Sequence, residues 1–147
     1  MSPLLPRPLP LAGLAWLTGF RRVPDNAVVT KHRFGRFVGA LGPGWHWTLP
    51  GLDSLGQPVC LIGHHLDIAA EPGTHAELYY QILDPAQAGE ALDRVDALVS
   101  DQAREALASL KDLADATRPL AEALKAELNR RVARLGLRVI RCSLHPA

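Results

Sequence analysis

One change of period constrains this chain more than any other feature. Ala76, Leu78, Tyr80 and Ile82 alternate with His75, Glu77, Tyr79 and Gln81, the pattern of a strand with one buried and one polar face. Past Asp84 the period becomes three and four: Leu92, Val95, Val99, Ala103, Ala106, Leu107 and Leu110 recur at helical spacing. The junction carries a start signal. Asp84 is suited to cap free backbone N–H groups, Pro85 suits the first helical position, and Gln87 completes a capping box. The spacing predicts an amphipathic helix of up to about 28 residues, ending near Leu113. A second helix is expected to start at Thr117 or Arg118, before Pro119, with Leu120, Leu124, Leu128, Val132 and Leu135 as its stripe. Glu127 and Arg131 form a favourable i,i+4 pair on it, and Gly136 is its stop. Leu137 to Leu144 then closes the chain as a short strand with Leu137, Val139, Cys142 and Leu144 apolar.

The first half has a different punctuation. Pro24-Asp25-Asn26 is a turn signal, and Val28-Val29-Thr30 is a β-branched run. Phe34, Phe37 and Val38 form an apolar cluster interrupted by Gly35 and Gly39. Gly42-Pro43-Gly44 and Pro50-Gly51 are turns around Trp45-His46-Trp47, and Val59 to Ile68 is a further strand candidate. Five short β segments between Gly and Pro turns describe a small antiparallel sheet or open barrel. The expected fold is therefore α+β: a twisted antiparallel sheet, two amphipathic helices packed on one side, and a short C-terminal strand.

Residues 1–20 stand apart from the rest, 21–147. Pro3, Pro6, Pro8 and Pro10 forbid a helix up to Pro10, and a short helix is allowed from Leu11 to Phe20. The uncharged run Pro8–Phe20 has 13 residues, against the roughly 20 that a spanning helix needs. Three readings stay open for this arm: a segment lying in the membrane interface, a cleaved signal peptide, or an arm that packs on the domain or stays loose. The interfacial reading places Leu11, Leu14, Trp16, Leu17 and Phe20 among the acyl chains, with Arg21 and Arg22 at the headgroups. Charge asymmetry favours an anionic surface. Residues 1–50 hold six Lys/Arg against Asp25 alone, a net of +5, whereas 51–147 hold ten against fourteen acids, a net of −4.

The motifs, in their order, resemble the band 7 (SPFH) family of stomatins, prohibitins and flotillins. Arg33-Phe34-Gly35-Arg36 is similar to its R-x-G-[RK] turn, Leu41-Gly42-Pro43-Gly44 to its L-x-P-G element, and Pro50-Gly51-Leu52-Asp53 to its P-[FG]-[IL]-D element. Tyr80 through Asp84-Pro85 resembles the family's strand-to-helix junction, and the segment from Glu127 to His145 its last helix, Gly and final strand. The resemblance spans about residues 21–145. It implies a non-catalytic scaffold or adaptor on a membrane, peripheral or monotopic, on a side the sequence does not give. As the alternative it implies a soluble interaction module of the same fold, modulating a membrane protease. Self-association is implied too, although the family's long coiled coil has no counterpart before Ala147. The family's N-terminal hydrophobic hairpin is represented only by the Pro-rich arm.

The residues themselves point away from catalysis. There is no G-x-S-x-G elbow, Gly42-Pro43-Gly44 precedes a strand rather than a helix, and Glu71, Glu77 and Asp84 suggest no acid pair. In His64-His65-Leu66-Asp67 only His65 and Asp67 share a strand face, too few for zinc, so neither metal nor cofactor is expected. Cys60 and Cys142 read as inert core thiols. Trp45 and Trp47 share a face, read first as core filling between sheet and helix and second as a surface dipping into headgroups beside Arg21, Arg22, Arg33 and Arg36. The basic third is strands and turns without a groove-fitting helix or stacking aromatics, so nucleic acid is not an expected partner.

Overall fold

The alternating segment becomes the middle strand of a three-stranded sheet. The computed structural model describes residues 18–69, 74–111 and 119–146. In chain order the strands are β1 (Phe20–Val23), β2 (Ala27–Arg33), β3 (Arg36–Leu41), β4 (Gly44–Trp47), β5 (Asp53–Leu55), β6 (Val59–Cys60), β7 (His64–Ala69) and β8 (Thr74–Ile82). Helix α1 (Pro85–Ala88), a 3-10 segment (Gly89–Arg94), α2 (Val95–Lys111), α3 (Leu120–Val132), a 3-10 turn (Ala133–Leu135) and β9 (Leu137–Pro146) follow.

The architecture is α+β, and every described strand pairing is antiparallel. The strands are divided among three sheets rather than gathered in one: β7-β8-β9, β3-β2-β5 with β6 also on β2, and the ribbon β1-β4. The expected strand from Val59 to Ile68 splits into β6 and β7 at Gly63, whose φ of 84° takes the chain out of the extended region. Helices α2 and α3 pack on the inner face of β7-β8-β9. Ile68, Ala76, Leu78, Tyr80, Ile82, Leu137 and Val139 from the sheet meet Val99, Ala103, Leu107, Leu124, Leu128 and Val132 from the helices in one buried cluster. In β9 the buried set changes parity from Leu137 and Val139 to Cys142 and Leu144. A bulge explains it: Tyr80 pairs with Val139 but Tyr79 with Arg141, so Ile140 is an extra residue and lies exposed.

Strand β2 joins the two halves of the molecule. Val28 belongs to the main cluster, whereas Ala27 and Val29 join Val23 in a second, smaller one. A strand buried on both faces explains the unbroken β-branched run.

The single long helix expected after Asp84 is interrupted. Gly89 has φ 56° and ψ −130°, which ends α1 after one turn; the chain continues as a 3-10 segment before α2 begins at Val95. The segment is tied to β2, since the buried Thr30 hydroxyl donates to Asp93 at 2.6 Å. The cap itself forms: Asp84 accepts from the Ala86 N–H at 3.0 Å. Gln87 donates to the Asp84 carboxylate at 2.9 Å instead of reaching its backbone. Gly136 closes α3 and its 3-10 turn in the left-handed conformation, and its carbonyl accepts from Leu83 and Asp84.

Candidate membrane-contact site

The ribbon β1-β4 carries the residues that sequence reasoning marked. Its register sets Phe20 opposite Trp47, Arg21 opposite His46, Arg22 opposite Trp45 and Val23 opposite Gly44. Side chains directly opposite in an antiparallel pair share a face. Phe20, Arg22, Trp45 and Trp47 therefore lie together on one face, and Val23 is the only buried residue of β1. The two tryptophans do not fill the core: Trp45 is 68% and Trp47 55% exposed, beside Phe20 at 52%. The core between sheet and helices is already closed by Tyr80, Leu78 and Ile68, and β4 is bonded to β1, away from that sheet. His46, on the opposite face, has its Nε2 2.7 Å from the Gly42 carbonyl.

Of the anchor residues, Phe20 is a strand residue and not part of a helical arm. Arg21 is half-buried and Arg22 exposed on the same strand. Leu11, Leu14, Trp16 and Leu17 lie outside the described residues.

The aromatic face continues towards the adjoining loop. Thr48 bonds to the Gly19 carbonyl through both its N–H, at 2.7 Å, and its hydroxyl, at 2.9 Å. The following loop, Leu49–Asp53, meets the tip of the β2-β3 hairpin, where the Phe34 N–H donates to the Leu52 carbonyl at 3.2 Å. Phe34 and Gly35 both have positive φ, 51° and 74°, the two-residue turn that matches strand twist. This turn holds Phe34 in solvent, 75% exposed, next to the exposed Leu52; the expected apolar cluster of Phe34, Phe37 and Val38 does not form, since Val38 is also exposed and only Phe37 packs inward. Gly19, Arg21, Thr48, Pro50 and Asp53 line a cleft of about 440 Å³ between the ribbon and β5.

Asp53 organises this end. Its carboxylate, with no exposed surface, accepts from Arg33 Nε at 2.7 Å, from Lys31 Nζ at 3.0 Å and from the Leu49 N–H at 2.9 Å. The Arg33 hydrogen bonds, then that of Leu49, hold its carboxyl well below the usual carboxylate range. Lys31 and Arg33 are thereby committed to holding the loop on the hairpin, which removes Arg33 from the set facing outward. Arg22 and Arg36 are exposed. Sequence reasoning missed Asp53 as the partner of these two cations; the register of β2 with β5, which pairs Arg33 with Asp53, makes the contact.

Cys60 is exposed and Cys142 half-buried, on β6 and β9 of different sheets, so they are not a pair of core thiols. Burial pushes the Cys142 thiol up to about 11. His64 and His65 point to opposite faces as expected. His64 stacks on Tyr80 and sits 3.2 Å from Asp96, which also accepts the Tyr80 hydroxyl. Among the described residues no helix is long and apolar enough to cross a membrane. No family model and no curated protein matches the chain.

Proposed function

We propose that this chain is a non-catalytic, membrane-associated scaffold or adaptor of the band 7 (SPFH) type, docking through the end that carries the β1-β4 ribbon. The observation that carries the reading is the exposed face of Phe20, Trp45 and Trp47 with Arg22 beside them. Tryptophan rings with a polar N–H edge, next to a cation and an apolar phenyl ring, suit the headgroup boundary. In sequence the uncharged run Pro8–Phe20 leads directly into β1. Arg22 and Arg36, exposed at this end, supply attraction to anionic lipid. The motifs behind the resemblance also meet here: the Arg33–Arg36 turn and the Pro50–Asp53 element are joined through Asp53.

Flotation with mixed phosphatidylcholine and phosphatidylglycerol vesicles tests the reading. The protein is expected to float with them and to stay behind with pure phosphatidylcholine at moderate salt. Withdrawing two large side chains from the interface weakens binding by roughly tenfold or more, so the Trp45→Ser, Trp47→Ser double variant is expected to remain largely unbound. Equal flotation of wild type, this variant and a chain lacking residues 1–17 would sink the proposal. Failure of the wild type itself to float would instead favour the soluble module, with the same aromatic face seated on a protein.

A further inference from the structure

The outer face of β7-β8-β9, on the side away from the helices, gathers a second set of side chains. His65 and Asp67 project from β7, Glu77 from β8 and His145 from β9. His65 Nε2 is 3.3 Å from Asp67 Oδ1, and His145 Nε2 is 3.7 Å from Glu77 Oε2. One donor atom from each of His65, Asp67 and Glu77 fits within 4.8 Å of the others. The sequence offered only the first two of these residues on one face. Glu77 and His145 arrive through strand register, which sets Asp67 opposite Glu77 and runs β9 along the other edge of β8.

Two features set this cluster apart from ordinary surface ion pairs. First, the register places two carboxylates directly opposite each other. Like charges in that position destabilise a sheet, and a divalent cation between them would turn the repulsion into attraction. Second, the spacing suits a small metal ion. Four ligands at about 2.0–2.1 Å around zinc lie about 3.3–3.4 Å apart along the edges of a tetrahedron, close to both His–carboxylate separations. The His65 ring is also held, stacked on Tyr79 at a centroid distance of 4.6 Å.

We propose that His65, Asp67, Glu77 and His145 form a binding site for a divalent transition-metal cation of the zinc class. Two imidazoles and two carboxylates are a borderline donor set that suits zinc better than calcium or magnesium. Two negative charges balance the ion. His65, Asp67 and Glu77 are already grouped; His145, paired with Glu77 from β9, would move onto the ion as fourth ligand and complete a tetrahedral shell, so the ion acts as a clip across three strands and not as a catalyst. It would fix the end of β9 against β8 and β7. The site is independent of the ribbon proposed to meet the membrane.

Zinc titration of the full chain by calorimetry, with thermal unfolding in parallel, tests this. The expected result is saturation at one ion per chain and a rise in Tm of roughly 9 °C at zinc a hundredfold above its dissociation constant. Glu77→Gln and His145→Ala are each expected to weaken binding by at least tenfold, while His46→Ala, on the ribbon, leaves it unchanged. All these positions are solvent-facing or on a separate sheet, so the variants keep the fold; metal-free Glu77→Gln is expected to be at least as stable as wild type because the carboxylate repulsion is gone. Absence of saturable zinc binding in the wild type would overturn the proposal. So would binding that survives Glu77→Gln combined with His145→Ala.

Discussion

Glu127 shows how much one surface residue of α3 organises. It accepts from Arg130 at 2.7 and 3.0 Å and from Arg131 at 2.8 Å, and Arg131 reaches on to Glu105 of α2 at 3.2 Å. The pair with Arg131 was legible as an i,i+4 spacing; the bridge to α2 was not, because it depends on how the helices cross. These hydrogen bonds, Arg130 first and then Arg131, lower the Glu127 carboxyl to about 2. A carboxylate depressed in the folded state contributes stability above its unfolded pKa of about 4.3, and that contribution is lost as pH falls towards the folded value. Urea unfolding of Glu127→Gln is therefore expected to show lower stability than wild type at neutral pH, the gap closing between about pH 4.3 and pH 2. A gap that stays constant through this window would show that the charge contributes nothing. Asp53, depressed for the same kind of reason, makes wild type lose stability over an overlapping acid range.

At the scale of elements, the junctions decide where helices and strands stop. The Asp84-Pro85 start and the Gly136 stop were both readable, since capping and left-handed glycine are local chemistry. Their contact was not. A Cβ on Gly136, at φ 67°, would come within 2.3 Å of the Asp84 carbonyl oxygen, so the end of α3 and the start of α1 pack backbone to backbone. The break at Gly89 was missed because the stripe that starts at Leu92 was joined directly to the start signal at Asp84-Pro85; the φ of 56° and the Thr30–Asp93 bond reveal it. The exposed tryptophans were misread as core for a related reason: alternation tells which residues share a face, not whether another layer covers that face. Gly136→Ala is expected to cost roughly 3 kcal/mol, since strain at positive φ adds to displacement of a neighbouring backbone. Gly35→Ala, at similar φ in an open hairpin turn with no neighbouring atoms within 4 Å, pays only the strain, about 1 kcal/mol. Equal losses on thermal unfolding would show that the crowding at Asp84 relaxes freely.

For the whole molecule the question is whether its two hydrophobic clusters unfold together. The main one holds the helices and β7-β8-β9; the smaller one, Val23, Ala27 and Val29, lies beneath Leu41 and Leu55. They share β2, whose Val28 faces the main cluster while its neighbours face the smaller one. Ala40, Val59 and Leu61 of the N-terminal half also pack on the main cluster, and Thr30 ties β2 to the segment before α2. A strand buried on both sides cannot leave one cluster without exposing the other, so the ribbon end and the helical end are expected to form one cooperative unit. Val28→Ala removes two methyl groups and leaves a cavity, a loss of about 2–3 kcal/mol. Native-state hydrogen exchange distinguishes the outcomes. In one unit, the variant lowers protection of the slowest amides in α2 and in β2-β3 by the same amount. Lowered protection confined to one of those elements would mean that the ribbon end opens independently of the helices. The ribbon end would then be a separately folding unit.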